Sequence, residues 1–146
     1  MKTNTSIVSL EIIPLENGLH IAVKCKVVRY NALMLIDTGA SQSVFDMGHK
    51  AFAKLNLTRI SEPVKSSGIN SEIHDLFTGN IDSFRIGEIR IRNMQALFMP
   101  FNHINSMYKA LKLEPLAGIL GGDFLEFYEA EISYRNSEIH LKLNKD

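Results

Sequence analysis

Leu33-Met34-Leu35-Ile36-Asp37-Thr38-Gly39-Ala40-Ser41 is the stretch on which the reading of this chain turns. Four apolar residues run directly into an aspartate. A short apolar run bounded by turn residues has the character of a core strand. Gly39 lets the backbone turn sharply and lie close to a neighbour. The arrangement holds a carboxylate at the end of a buried strand, where a second carboxylate can meet it. The same residues also suit a polar turn in which Asp37 and Thr38 bond the local backbone. Average composition puts a bare Asp-Thr-Gly in roughly one chain in thirty of this length, so the tripeptide needs support from elsewhere in the sequence.

Support comes from residues 116–128, Leu-Ala-Gly-Ile-Leu-Gly-Gly-Asp-Phe-Leu-Glu-Phe-Tyr. Ile119 and Leu120 precede Gly121, and a short helical pattern follows with Phe124, Leu125 and Phe127 apolar. The two segments together resemble the paired signatures of retropepsin-like aspartic proteases, in their expected order. In that family an apolar-apolar-Gly strand passes beside the Asp-Thr-Gly loop and leads into a helix. The tail, Ala130 to Leu143, resembles the closing hairpin of the bacterial and cellular branch. The resemblance covers most of residues 7–143, strongly at the two signatures and loosely between them. It implies an all-β barrel with one or two short helices, corresponding to one lobe of a pepsin-like enzyme, and a single domain over residues 1–146.

The bulk numbers agree with a soluble globular chain. There are 146 residues, 45% hydrophobic and 22% charged, enough to bury a proper core. Lys plus Arg and Asp plus Glu are each 16, so no net charge draws the chain to nucleic acid or to an anionic membrane. Cys25 is the only cysteine. Its place between Lys24 and Lys26 in an alternating run predicts a buried, inert thiol. The N-terminus lacks the apolar core of a signal peptide, and no run is long enough to span a bilayer. The expected compartment is the cytoplasm, although a removed leader would make the chain an exported one.

Along the chain the pattern is mostly strand. Ile7 to Ile13 is β-prone and stopped by Pro14, and Asn17-Gly18 is a strong hairpin signal leading into Leu19–Val28. A second turn at residues 29–31 leads into Ala32–Ile36. Asp46 suits the N-cap of a short helix over Met47–Leu55, with Phe52 and Leu55 inward. Leu76–Ile86 and Ile89–Phe98 flank Gly87-Glu88 as another hairpin, with Arg90 and Arg92 on one face. Residues 100–115 read as the least regular segment, with one helical turn near Met107–Leu111. Ser66–Ser71, carrying Gly68, is the expected flap.

One carboxylate cannot perform aspartic-protease chemistry. Two must lie close enough to share a proton, because like charges in contact cannot both ionise. This chain has one Asp-Thr-Gly, so the resemblance implies a homodimer that supplies Asp37 twice across a two-fold axis. It also assigns supporting roles. Thr38 bonds across the axis, Gly39 lies against substrate backbone, Ala40 keeps the cleft floor shallow, and Ser41 adds a polar contact. Gly68 and Ile69 from the flap, with Ala117 and Ile119 before Gly121, are expected to touch substrate. Retroviral enzymes carry an acid at the Ser41 position and an arginine at the Gly122 position, joined as an ion pair. Both are absent here, which is coherent because losing one alone would strand a charge.

The expected activity is peptide-bond hydrolysis by an aspartic endopeptidase acting on peptide or protein substrates, with no metal and no organic cofactor. The alternative is a silent domain of the same fold that dimerises or binds peptides without cleaving them. The five histidines are scattered without metal-ligand spacing, and no Ser nucleophile elbow or phosphate loop is present. The phenylalanines at 45, 52, 77, 84 and 98 are expected in the core.

Overall fold

The structure is a computed structural model that describes residues 4–60 and 75–143. The expected flap at Ser66–Ser71 lies outside the described residues.

The first three strands form in hairpin succession. β1 (Thr5–Leu15) turns through Glu16 and Asn17 into β2 (Gly18–Val27), which turns through Val28 and Arg29 into β3 (Tyr30–Ile36). Pro14 does not end β1. From Leu10 onward β1 pairs with β2 alone, its earlier part pairing with the C-terminal strand. An edge tolerates a proline where a central strand would not. Val28 takes the left-handed φ of 56° that the tight second turn requires.

The remaining elements are β4 (Val44–Asp46), β5 (Thr58–Arg59), β6 (Phe77–Ile86), β7 (Ile89–Met99), α1 (Asn102–Ala110), β8 (Gly118–Leu120), α2 (Gly122–Phe127), β9 (Glu131–Ser133) and β10 (Glu138–Lys142). Six strands close a ring in the order β2-β3-β8-β4-β7-β6, with Lys26 opposite Arg85 and Val27 opposite Phe84 at the seam. The all-β barrel with two short helices is therefore what the chain forms.

The side-chain alternation explains the ring. Ile21, Val23, Cys25 and Val27 of β2 point into the barrel with Ala32, Met34 and Ile36 of β3. The other face of β3, Leu33 and Leu35, is covered by a second apolar layer containing Phe101, Tyr108 and Leu116. β3 is thus buried on both faces, which is why its sequence is a continuous apolar run rather than an alternating one. Phe45, Phe52, Phe84 and Phe98 form the aromatic centre, with ring centroids 5.0 to 5.8 Å apart. Phe77 is half-buried, packing against the same core and lying beneath the Arg59 guanidinium. Burial pushes the Cys25 thiol up to about 12, so it carries no thiolate at neutral pH.

Two helical expectations are corrected. Met47–Leu55 is not an α-helix, and only Lys50–Phe52 forms a short 3₁₀ turn, capped by His49 accepting from Ala51 N–H. Asp46 has a different task. Its buried carboxylate accepts from Gly48 N–H (2.9 Å), Phe101 N–H (3.2 Å) and Asn105 Nδ2 (2.9 Å). These bonds tie β4 to the start of α1, where a carboxylate also complements the helix dipole. Residues 100–115 are likewise more ordered than expected, since α1 begins at Asn102 and buries Tyr108 completely. Asn105 completes the clamp by donating to Leu116 O and accepting from Leu116 N–H.

Candidate active site

Asp37 stands immediately after β3, half-buried. Its N–H donates to Leu120 O on β8 (3.0 Å), which continues the parallel pairing of Leu35 with Ile119 and Ile36 with Leu120. The carboxylate oxygen Oδ1 accepts from Gly39 N–H at 2.9 Å, and Ala40 N–H closes the turn onto Asp37 O. A rigid, doubly covered strand therefore delivers the acid, and the loop's own backbone orients it.

The loop is held from behind by the second sequence signature. Gly122 N–H donates to Ala40 O (2.7 Å) and Asp123 N–H to Ser41 O (3.2 Å). Gly121 must be a glycine, because a Cβ there would sit 2.7 Å from Ala40 O and 2.9 Å from Gln42 O. Asp123 then reaches back across the chain. It accepts from Ser43 N–H at 2.9 and 3.0 Å and from Ser43 Oγ at 2.7 Å, while Ser43 Oγ accepts from Gly121 N–H. A carboxylate–serine clamp and two backbone bonds hold the loop where the retroviral branch has an ion pair. The sequence reading missed Ser43 and Asp123. The signal was there in an acid one residue into a helix that follows Gly121, placed to bond a loop N–H.

Asp123→Ala should cost about 2 kcal/mol, because it leaves a serine hydroxyl and its N–H without their charged acceptor. Urea denaturation measures it. An unchanged midpoint would show that the clamp holds nothing.

The other expected site residues divide. Thr38, Gly39 and Ser41 are exposed around Asp37, and Ala40 is half-buried in the turn. Ile119 keeps partial exposure next to the loop. Ala117 is corrected: it is fully buried in the barrel core and has no surface to offer a substrate. Gly68 and Ile69 lie outside the described residues.

A cleft of about 430 Å³ opens beside the loop, lined by Asp37, Thr38, Leu19, His20, Ile132 and Tyr134 among others. Leu19 and Tyr134 are 48% and 62% exposed, so the cleft is rimmed by uncovered apolar surface. His20 is fixed there by a 2.7 Å bond between Nδ1 and the Tyr108 hydroxyl, with the two rings stacked. Leu19, His20, Ile132 and Tyr134 were not legible beforehand, since they come from the β1–β2 and β9–β10 hairpins. Among the described residues no three His, Cys, Asp or Glu converge to hold a metal, and no helix is long and apolar enough to cross a membrane.

This loop, its strand and its backing helix coincide with a family model described as aspartyl protease, which matches residues 23–124. The chain belongs to the aspartyl protease family. Its fold is retropepsin-like. It is similar to the crystal structure of a retropepsin-like aspartic protease from Rickettsia conorii, at 14% identity and a TM-score of 0.50, over 98% of this chain and 97% of that one. The retroviral protease-like domain of Ddi1 from Leishmania major is also similar, at 13% identity and a TM-score of 0.45, over 86% of this chain and 94% of that one. No curated protein matches the sequence.

Proposed function

We propose that this chain is an aspartic endopeptidase whose active form is a two-fold dimer, with Asp37 and Asp37 of a second copy sharing one proton. The deprotonated member takes a proton from a bound water, which attacks the amide carbon. The protonated member donates to the carbonyl oxygen as the tetrahedral species forms. Thr38 and Gly39 steady the paired loops and meet substrate backbone. The apolar character of Ile119, Leu19 and Ile132 favours apolar or aromatic side chains beside the cut.

The observation that carries the reading is the state of the Asp37 carboxylate. One oxygen is held by Gly39 N–H, and the other has no partner among the described residues. The exposed Leu19 and Tyr134 beside it give a second copy apolar surface to cover.

Light scattering and peptide cleavage over the same concentration series test this. Activity should follow the dimer and vanish on dilution to monomer, with a bell-shaped rate profile on the acid side of neutrality. Full activity from a stable monomer would refute it. Folding must be followed at each pH. Burial holds His49 below its ordinary value of 6.5, against the opposing pull of Asp46. A histidine kept neutral by the fold contributes stability that is complete above that value and is lost as the pH falls through its folded pKa. Unfolding at low pH would otherwise imitate the acid limb of the profile.

A further inference from the structure

β7 has only one full-length neighbour. It pairs with β6 from Ile89 opposite Ile86 to Phe98 opposite Phe77, interrupted only at Asn93, which takes a left-handed φ of 50°. On its other side β4 reaches only Phe98 and Met99. In an antiparallel pair every second residue turns its N–H and C=O away from the partner strand. From Arg90 to Leu97 these outward groups make no backbone bond to another element among the described residues. A long unpaired edge of this kind is a template for another strand.

The edge forms one wall of an open cavity of about 670 Å³ whose opposite wall is α2, with Phe45, Phe84, Phe124, Phe127 and Tyr128 lining it. None of its lining residues is shared with the cleft at Asp37. Phe127 is 45% exposed at the mouth. Ile91 is half-buried beside Ile89, while Arg90 and Arg92 stand exposed, and all three of Arg90, Ile91 and Arg92 line this cavity. Arg90 lies directly opposite Arg85, which lies opposite Lys26, so three cations line up across three strands. Like charges placed opposite one another are destabilising. Neither Arg90 nor Arg92 has an acid partner among the described residues, and Asp123, the acid nearest in the cavity wall, is committed to Ser43.

We propose that the β7 edge, Arg90 to Leu97, takes an extended segment of a partner protein as an added strand, one in which acidic residues alternate with apolar ones. Backbone bonds along the edge give the affinity, and alternate side chains give the selectivity. Acids of the segment meet Arg90 and Arg92 where they line the cavity, and its apolar side chains meet the aromatic residues of the same cavity between β7 and α2. The same edge of a second copy is disfavoured, because it would bring four guanidinium groups onto one ribbon.

The test uses the full chain carrying Asp37→Asn, so that no peptide is cut, and a fluorescent peptide of alternating glutamate and valine matched in length to the edge. Anisotropy should show saturable binding that falls about tenfold or more in the Arg90→Glu/Arg92→Glu variant. The same peptide methylated on every second backbone nitrogen should not bind, because it cannot form the ladder. Hydrogen exchange should slow at alternate amides between residues 90 and 97 and not at the Asp37 loop. The proposal is overturned by failure of the unmodified peptide to bind, by equal binding of the methylated peptide, by unchanged affinity in the double variant, or by protection at the Asp37 loop instead. Protection of the 90–97 amides on raising the protein concentration without peptide would likewise overturn it, since the edge would then belong to a second copy.

Discussion

Asp37→Asn should lower kcat/KM for peptide cleavage by roughly 10⁴-fold or more, the scale of removing one member of a catalytic unit. The fold should change by no more than about 0.5 kcal/mol. Both halves follow from one geometry. Among the described residues the carboxylate accepts a single bond, from Gly39 N–H, and an asparagine oxygen accepts it equally well. An amide cannot take a proton from water, so the chemistry stops while the loop stays. Steady-state cleavage, urea denaturation and sedimentation on the same preparation read the three quantities. An asparagine variant that cleaves like the parent would remove Asp37 from the mechanism and leave a dimerising or peptide-binding domain as the better account.

Gly118→Ala should produce the largest loss of stability, about 3 kcal/mol, and take activity with it. Gly118 sits where β8 passes between β3 and β4, paired to Met34 on one side and Phe45 on the other. A Cβ at this position would press on the Val44 carbonyl and come within 3.0 Å of Phe45 Cα. Backbone on both sides cannot yield without losing a strand pairing, and overpacked sites of this kind cost in that range. The displaced strand carries Leu120 O, the acceptor for Asp37 N–H. Gly18→Ala is the matched control, because a Cβ there meets nothing within 4 Å. Urea midpoints of the two variants should differ widely. Similar midpoints would mean that the β3–β8–β4 contact can relax.

The barrel was legible where local pattern and tertiary role agree. The apolar run 33–36 announced a doubly buried strand, and the two-residue turns announced the hairpins around residues 17 and 87. Gly121 was legible through its order after the Asp-Thr-Gly loop. What escaped the sequence were features set by distant partners. Asp46 looks like a helix cap because an acid before a mixed segment usually is one, yet its acceptors serve Phe101 and Asn105, far along the chain. α1 was read as only one helical turn near Met107–Leu111 because polar Asn102, His103, Asn105 and Ser106 mask the spacing of Ile104, Tyr108 and Leu111. The Ser43–Asp123 clamp and the Leu19, His20 and Tyr134 cleft wall depend on chain crossings that no local window contains. Ala117 was placed by the family resemblance, but its backbone is bonded on both sides, to Leu33 O and Asp46 N–H, and its side chain is buried in the core.

The neighbour relations of β3 also govern when the acid acquires its frame during synthesis. The strand that carries Asp37 is completed by β8, and β1 by β10, at opposite ends of the sequence. A ribosome that has released the Asp-Thr-Gly loop has not yet made the residues that hold it, 118–123. Pairings so remote in sequence form slowly and late. A nascent chain therefore carries an aspartate without its frame until residues 118–123 have been made, and any truncation before β8 leaves it so. The acid becomes a positioned group only once residues 118–123 have joined the fold.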